Sequence, residues 1–331
     1  MSHATDNRPE ALLAMDPGIA DQLLADRHRA RLAALTRTDP HFVAHDLADP
    51  SPAAAVALAG AEVLFTGWGA TPLTAEVHAA GSVKHHITEA CWERGIAVTS
   101  AAGANALPVA EFTLAAILFA NKRVLYAAHL YRGLRTRHDW LRELAGSGNH
   151  RRTVGIVGAS RIGRRVIELL RPFDLDVLLY DPYVDAVEAA LLGVRPVELD
   201  ELCAGSSVVS VHAPQLPETH HLIGAAQLSA MATGTTLINT ARGSLIDEDA
   251  LLPELRSGRL HAVLDVTEPE LPPPLSPLYD LPNVLLTPHV AGSLGNELHR
   301  MADHALDELE RFAAGLPFAD PVHAGSLRRQ A

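Results

Sequence analysis

The chain has 331 residues, 48% hydrophobic and 20% charged, a globular composition with length enough for two domains. Its formal charge of −12 argues against nucleic acid or an anionic membrane as the main partner. Two cysteines, Cys91 and Cys203, lack metal-ligand spacing and give no disulfide framework, so a reducing, cytoplasmic setting is expected.

The first residues lack a basic region followed by an apolar run, so no signal peptide is expected. Charge or proline interrupts the alanine-rich stretches before about 18 residues, so none reads as a transmembrane span. Val63–Thr66 and Val77–Ala80 read as strands, Val83–Arg94 as a helix and Ile96–Val98 as another strand. Val109–Tyr131 is a long helical run without a breaker, long enough to pass between domains. Residues 132–152 are polar and arginine-rich, a surface connection. A second series then begins: strand Thr153–Val157, helix Arg161–Arg171 and strand Val177–Tyr180. Ser207–Val211, Thr235–Asn239, Leu260–Leu264 and Val284–Thr287 follow as strands, with helices such as Asp247–Arg256 between them. The proline-rich stretch 269–282 is a loop, and a last helix runs from about Gly295 to Ala314. This alternation predicts an α/β fold with mostly parallel sheets, whose ligands gather at the carboxyl ends of strands.

One such end is Gly155-Ile-Val-Gly158-Ala-Ser160-Arg161-Ile162-Gly163, between a strand and a helix. Gly158 permits a tight turn, Gly163 lets helix and strand pack closely, and the helix N-terminus offers N–H groups to a pyrophosphate. Ser160 stands where the fingerprint wants glycine; its hydroxyl can bond a phosphate. Asp181 ends the second strand, 18 residues after Gly163. A carboxylate there binds ribose hydroxyls and repels a 2′-phosphate, which favours NAD over NADP.

Further on, His289 follows Pro288 at a strand end. Histidine moves protons near neutrality, and a neighbouring carboxylate stabilises its imidazolium. Glu268 and Glu270 are both candidates for that carboxylate. Asp265 lies at a strand end, where it can face a nicotinamide carboxamide. Arg242 follows the strand ending at Asn239, with Gly243 allowing a sharp turn, and a guanidinium grips a carboxylate bidentately.

The stretches VGIVGASRIGRRV, SVVSVHAPQLPETHHLIG, LINTARGSLIDEDALL, LDVTEPE and LTPHVAGS, in this order, resemble the D-isomer-specific 2-hydroxyacid dehydrogenase family, and ALPVAEFTLAAILF resembles its interdomain helix. The resemblance covers nearly the whole chain. It implies two Rossmann-like α/β domains, parallel sheets flanked by helices, with a cleft between them. The substrate-binding, flavodoxin-like domain would take 1–122 plus 297–331, and the NAD-binding domain 123–296. It implies a catalytic arginine, glutamate and histidine at Arg242, Glu270 and His289. Glu270 is chosen because the family's glutamate lies five residues after the aspartate of an Asp-Val pair, here Asp265-Val266. Leu271 replaces the usual following proline. NAD contacts would fall on Gly158, Ser160, Arg161, Ile162, Gly163, Asp181, His212, Ala213, Pro214, Thr219, Thr240, Ala241, Arg242, Asp265, His289 and Gly292.

The family's Gly-x-Gly-x-Asp loop, whose backbone holds the substrate carboxylate, reads Gly81-Ser82-Val83-Lys84-His85 here. Ala80, Gly81 and Ser82 keep backbone donors and would share the carboxylate with Arg242 and His289. His85 and His86 are adjacent and would diverge in a helix, so no metal site is expected. Trp68 follows a strand and suits either a cleft wall or simple packing. The expected protein is thus an NAD-dependent oxidoreductase interconverting a 2-oxo acid and a D-2-hydroxy acid, and the resemblance implies a homodimer. The alternatives are an NAD-responsive binding protein of corepressor type and, less favoured, a relative acting on formate or phosphite. Without a long C-terminal regulatory extension, serine-type feedback control is not expected.

Overall fold

The computed structural model describes residues 6–69, 92–93 and 95–327. Cys91, the expected strand Val77–Ala80, most of the expected helix Val83–Arg94, and the loop with Ala80, Gly81, Ser82, His85 and His86 lie outside them. The chain divides into two compact units. One takes the described residues up to Asn105 with those from Ser293 onward; the other is Ala106–Gly292. The sequence drew these boundaries at 122/123 and 296/297.

The first unit holds a parallel three-stranded sheet, ordered β2 (Val43–Ala44), β1 (Ala11–Ala14), β3 (Val63–Thr66). Every residue of β1 is buried because it is central and covered on both faces. Leu13 packs with helices Pro17–Leu23 and Leu298–Ala313, while Leu12 and Ala14 pack on the other side with Ala54 of helix Pro52–Gly60. Leu298, Met301, Ala302, Leu306 and Leu309 form one stripe of the C-terminal helix, which is why that segment returns to the N-terminal sheet. A short antiparallel pair, β4 (Val98–Thr99) with β12 (Pro321–Val322), replaces the strand expected at Ile96–Val98.

The second unit is built on a parallel seven-stranded sheet. Its order is β11 (Val284–Leu286), β10 (His261–Leu264), β9 (Thr236–Asn239), β8 (Val208–Val211), β5 (Arg152–Val157), β6 (Leu175–Tyr180), β7 (Arg195–Pro196). The order reverses between β5 and β8, the point outside which a doubly wound sheet opens a crevice. Side chains alternate between two cores. Val154, Ile156, Val208, Ile238 and Val263 meet Ala110, Ile117, Val166, Ile167 and Leu170 on one face. Val157, Val209, Leu237, Ala262 and Leu264 meet Leu202, Leu228, Leu251 and Leu255 on the other. Each such fully buried valine, leucine or isoleucine contributes about 1.5–3 kcal/mol. Cys203 lies in the second core as a free thiol, which burial pushes up to about 12, so it is inert.

One expectation needs correction. The helical run Val109–Tyr131 is two helices, Ala102–Asn121 and Val124–Leu134, broken where Arg123 turns left-handed with φ 52°. Buried Asn121 sits at that break: its carbonyl accepts from Gly148 N and its side chain from Ser207 Oγ. By length and composition alone, Ala102–Asn121 is also apolar enough to cross a membrane, as core helices of globular domains can be. Its interruptions, Pro108 and Glu111, are single residues, and its Ala110, Ala116 and Ile117 are spent in the core of the second unit.

Candidate active site

The nucleotide turn forms at the end of β5, and two of its glycines are sterically required. Gly158 has φ +97°, and a Cβ there would stand 2.7 Å from Ala213 N. A Cβ on Gly163 would stand 2.1 Å from the Gly158 carbonyl oxygen. The backbone around them forms a cradle that side chains would fill, as a pyrophosphate-binding turn requires. Ser160 caps helix Arg161–Leu170, its Oγ accepting from Gly163 N at 3.2 Å, which leaves its O–H to donate. Arg161 and Ile162 open the helix, the first exposed and the second half-buried. The Asp181 carboxylate accepts from Ala159 N (2.7 Å) and Tyr183 N (2.8 Å), so it braces the turn while keeping lone pairs for hydroxyl groups.

Beyond β8 comes His212, against the glycine turn. Its ring is buried under the turn, Nε2 lies 2.8 Å from Ser210 Oγ, and burial pushes it down to about 3, so it is neutral. Its main chain borders the turn: a Cβ on Gly158 would stand 2.9 Å from the His212 carbonyl carbon. Ala213 is buried and Pro214 half-buried. Thr219 Oγ1 accepts from Leu216 N (2.9 Å) and donates to Pro214 O (2.6 Å), stapling that loop.

At the ends of β9, β10 and β11 three loops interlock. Asn239 folds the first: its Oδ1 accepts from Ala241 N (3.1 Å) and its Nδ2 donates to Arg242 O (2.8 Å). Thr240 faces Thr113, their hydroxyls 2.9 Å apart in the interior, and Ala241 is buried. Gly243 is pressed on the second loop, where a Cβ would stand 2.1 Å from the Thr267 carbonyl. Arg242 donates to Ala241 O (2.6 Å). Burial pushes its guanidinium below its ordinary value, opposed by the charge of nearby Glu270. A desolvated guanidinium with N–H groups to spare suits an incoming carboxylate.

Glu270 meets the histidine: its Oε1 lies 2.5 Å from His289 Nδ1. Glu268 points elsewhere, with its Oε2 3.8 Å from His220 Nε2. Geometry thus separates the two glutamates that local sequence left open. His289 holds a left-handed φ of 55°, a strained state for a non-glycine residue. Asp265 is what holds it there. The Asp265 carbonyl accepts from His289 N (2.9 Å), and its buried carboxylate accepts from Thr287 Oγ1 (2.6 Å), Val290 N (2.8 Å) and Ala291 N (2.9 Å). Sequence reading gave Asp265 only a cofactor-facing place, and Asn239 none. An asparagine closing a strand before a turn is the one signal that would have found the latter. Gly292 ends this unit.

A family model described as the NAD binding domain of D-isomer specific 2-hydroxyacid dehydrogenase matches residues 114–291, just over half of the chain. The chain belongs to that family. Its second unit is an NAD-binding domain, and the glycine cradle with Asp181 fits the cofactor. Among relatives, D-3-phosphoglycerate dehydrogenase of Archaeoglobus fulgidus is 34% identical over 240 residues, 72% of this chain and 45% of that protein. Glyoxylate reductase of Korarchaeum cryptofilum is 36% identical over 225 residues, 67% of this chain and 68% of that protein. A solved structure from Thermus thermophilus is 32% identical with a TM-score of 0.69, covering 95% of this chain and all of that one. The chain spans less than half the length of the D-3-phosphoglycerate dehydrogenases it matches.

Proposed function

We propose that the protein is an NAD-dependent dehydrogenase that interconverts a 2-oxo acid and a D-2-hydroxy acid. The observation carrying this reading is the 2.5 Å bond between His289 and Glu270, with Arg242 beside Glu270, on loops following strands of an NAD-binding domain. Bound NADH supplies the hydride for C2 of the acid. Arg242 holds the substrate carboxylate and polarises the adjacent carbonyl. With Nδ1 committed to Glu270, His289 presents Nε2 as the atom that gives its proton to the developing alkoxide and recovers it in the reverse direction. Glu270 orients the ring and stabilises the imidazolium before transfer. Asp181 favours ribose hydroxyls over a 2′-phosphate, so NADH serves better than NADPH.

In the same reading the enzyme works in the cytoplasm as a homodimer. Exposed Phe119, Tyr131 and Leu141 on the nucleotide-binding unit are the kind of surface a second copy covers. His289→Ala tests the chemistry: kcat should fall by at least about 100-fold while the protein still binds NADH. A variant with intact kcat removes His289 from the mechanism.

A further inference from the structure

A second constellation lies in the nucleotide-binding unit, outside the Arg242–Glu270–His289 set. His220, His221 and Glu268 each place one ligand atom within 4.8 Å of the other two, and all three are exposed. Adjacent histidines diverge in a helix, but these two sit in a loop where His221 adopts φ 52°. That turn lays the second ring on the first, with centroids 3.9 Å apart and planes 24° from parallel. His220 Nε2 lies 3.8 Å from Glu268 Oε2.

The backbone under this cluster is fixed. His221 N donates to Ser244 O (2.8 Å) and Ile223 N to Leu245 O (3.0 Å). Glu268 N donates to Glu248 Oε1 (2.9 Å), and Gly243 is pressed against the Thr267–Glu268 main chain. Two loops carrying the three side chains are thus anchored to one segment, 243–248. No lysine or arginine occurs in 213–224, 243–255 or 264–287, whereas Glu218, Asp247, Glu248 and Asp249 do. Along these segments no cation competes for Glu268.

Two imidazoles and a carboxylate are the donor set of many zinc sites, and they suit borderline divalent ions in general. Bonds of about 2.0–2.1 Å at tetrahedral angles put ligand atoms roughly 3.3 Å apart. Exposed side chains close the gap from 4.8 Å by rotating about χ1 and χ2. We propose that His220, His221 and Glu268 form a surface site for one divalent ion of the zinc class, completed by water. The ion joins the 220–221 loop to the 268–270 loop, two residues from Glu270.

The test is zinc binding by the full-length protein, read by competition with a chromophoric chelator and independent of turnover. Wild type should take up one zinc ion that His220→Gln and His221→Asn each bind at least about tenfold more weakly, since even loss of a ligand's supporting partner costs 10–100-fold. His289→Ala should keep wild-type zinc affinity, which separates this inference from the dehydrogenase reading. Equal zinc affinity in wild type and both histidine variants, or no zinc bound by wild type, overturns it.

Discussion

Acidification should expose His212 as a proton-linked weak point of the nucleotide-binding unit. The ring is 2% exposed, its neighbour is the neutral Ser210 hydroxyl, and Nδ1 meets no partner among the described residues. Burial therefore lowers its pKa from 6.5 to about 3. Folding lowers the pKa, so the unfolded chain takes the proton first. The stability this group contributes is complete above about pH 6.5 and drains as pH falls toward 3. Comparing proton binding in the two states, the loss between about pH 7 and pH 5 comes to about 2 kcal/mol, with a ceiling near 5 kcal/mol below both values. Urea unfolding of the cofactor-free protein at the two pH values, for wild type and His212→Gln, isolates the term because other groups cancel. The variant starts less stable but should lose about 2 kcal/mol less on acidification, and the wild-type His212 ring should show no NMR titration above about pH 4. Parallel curves, or a ring that titrates near pH 6.5, would refute the reasoning.

Other perturbations follow from the same geometry. Gly163→Ala puts a Cβ 2.1 Å from the Gly158 carbonyl, backbone that can give way only by deforming the cradle. NADH affinity in a fluorescence titration should drop at least about tenfold, since a displacement costing 1.4 kcal/mol suffices; unchanged affinity would show that the turn does not hold the cofactor. Asp265→Asn turns an amide NH2 toward Ala291 N or another donor of the 287–291 loop, for a cost of about 1–3 kcal/mol. Thermal unfolding should register that loss, and kcat should fall with it because His289 loses its support. A fully stable and active variant would mean the carboxylate is dispensable.

Much of the second unit was legible because its signals are local. Strand β5, helix Arg161–Leu170 with its buried Gly163, Val166, Ile167 and Leu170, and the glycine turn between them follow from period and turn chemistry. The first unit was harder. β1 is four residues of alanine and leucine, ALLA, which become a strand only because β2 and β3 pair on either side. The helix break at Arg123 was invisible because no glycine or proline marks it; buried Asn121 and its bonds to Gly148 and Ser207 fix the end from outside the helix. At the site, residue types and order pointed to Arg242, Glu270 and His289. Residue chemistry alone left Glu268 and Glu270 open and only the family's spacing from Asp265 chose Glu270; their separation in space depends on how the 267–271 loop folds against Gly243.

The central claim is hydride transfer between nicotinamide and a 2-oxo acid. It is tested most directly by following NADH oxidation, by its absorbance, across a panel containing glyoxylate, hydroxypyruvate, pyruvate and bulkier 2-oxo acids, with NADPH in parallel. The account predicts turnover with at least one acid, faster with NADH than with NADPH. NADH binding without reduction of any acid would contradict it and favour a protein that senses the cofactor without using it.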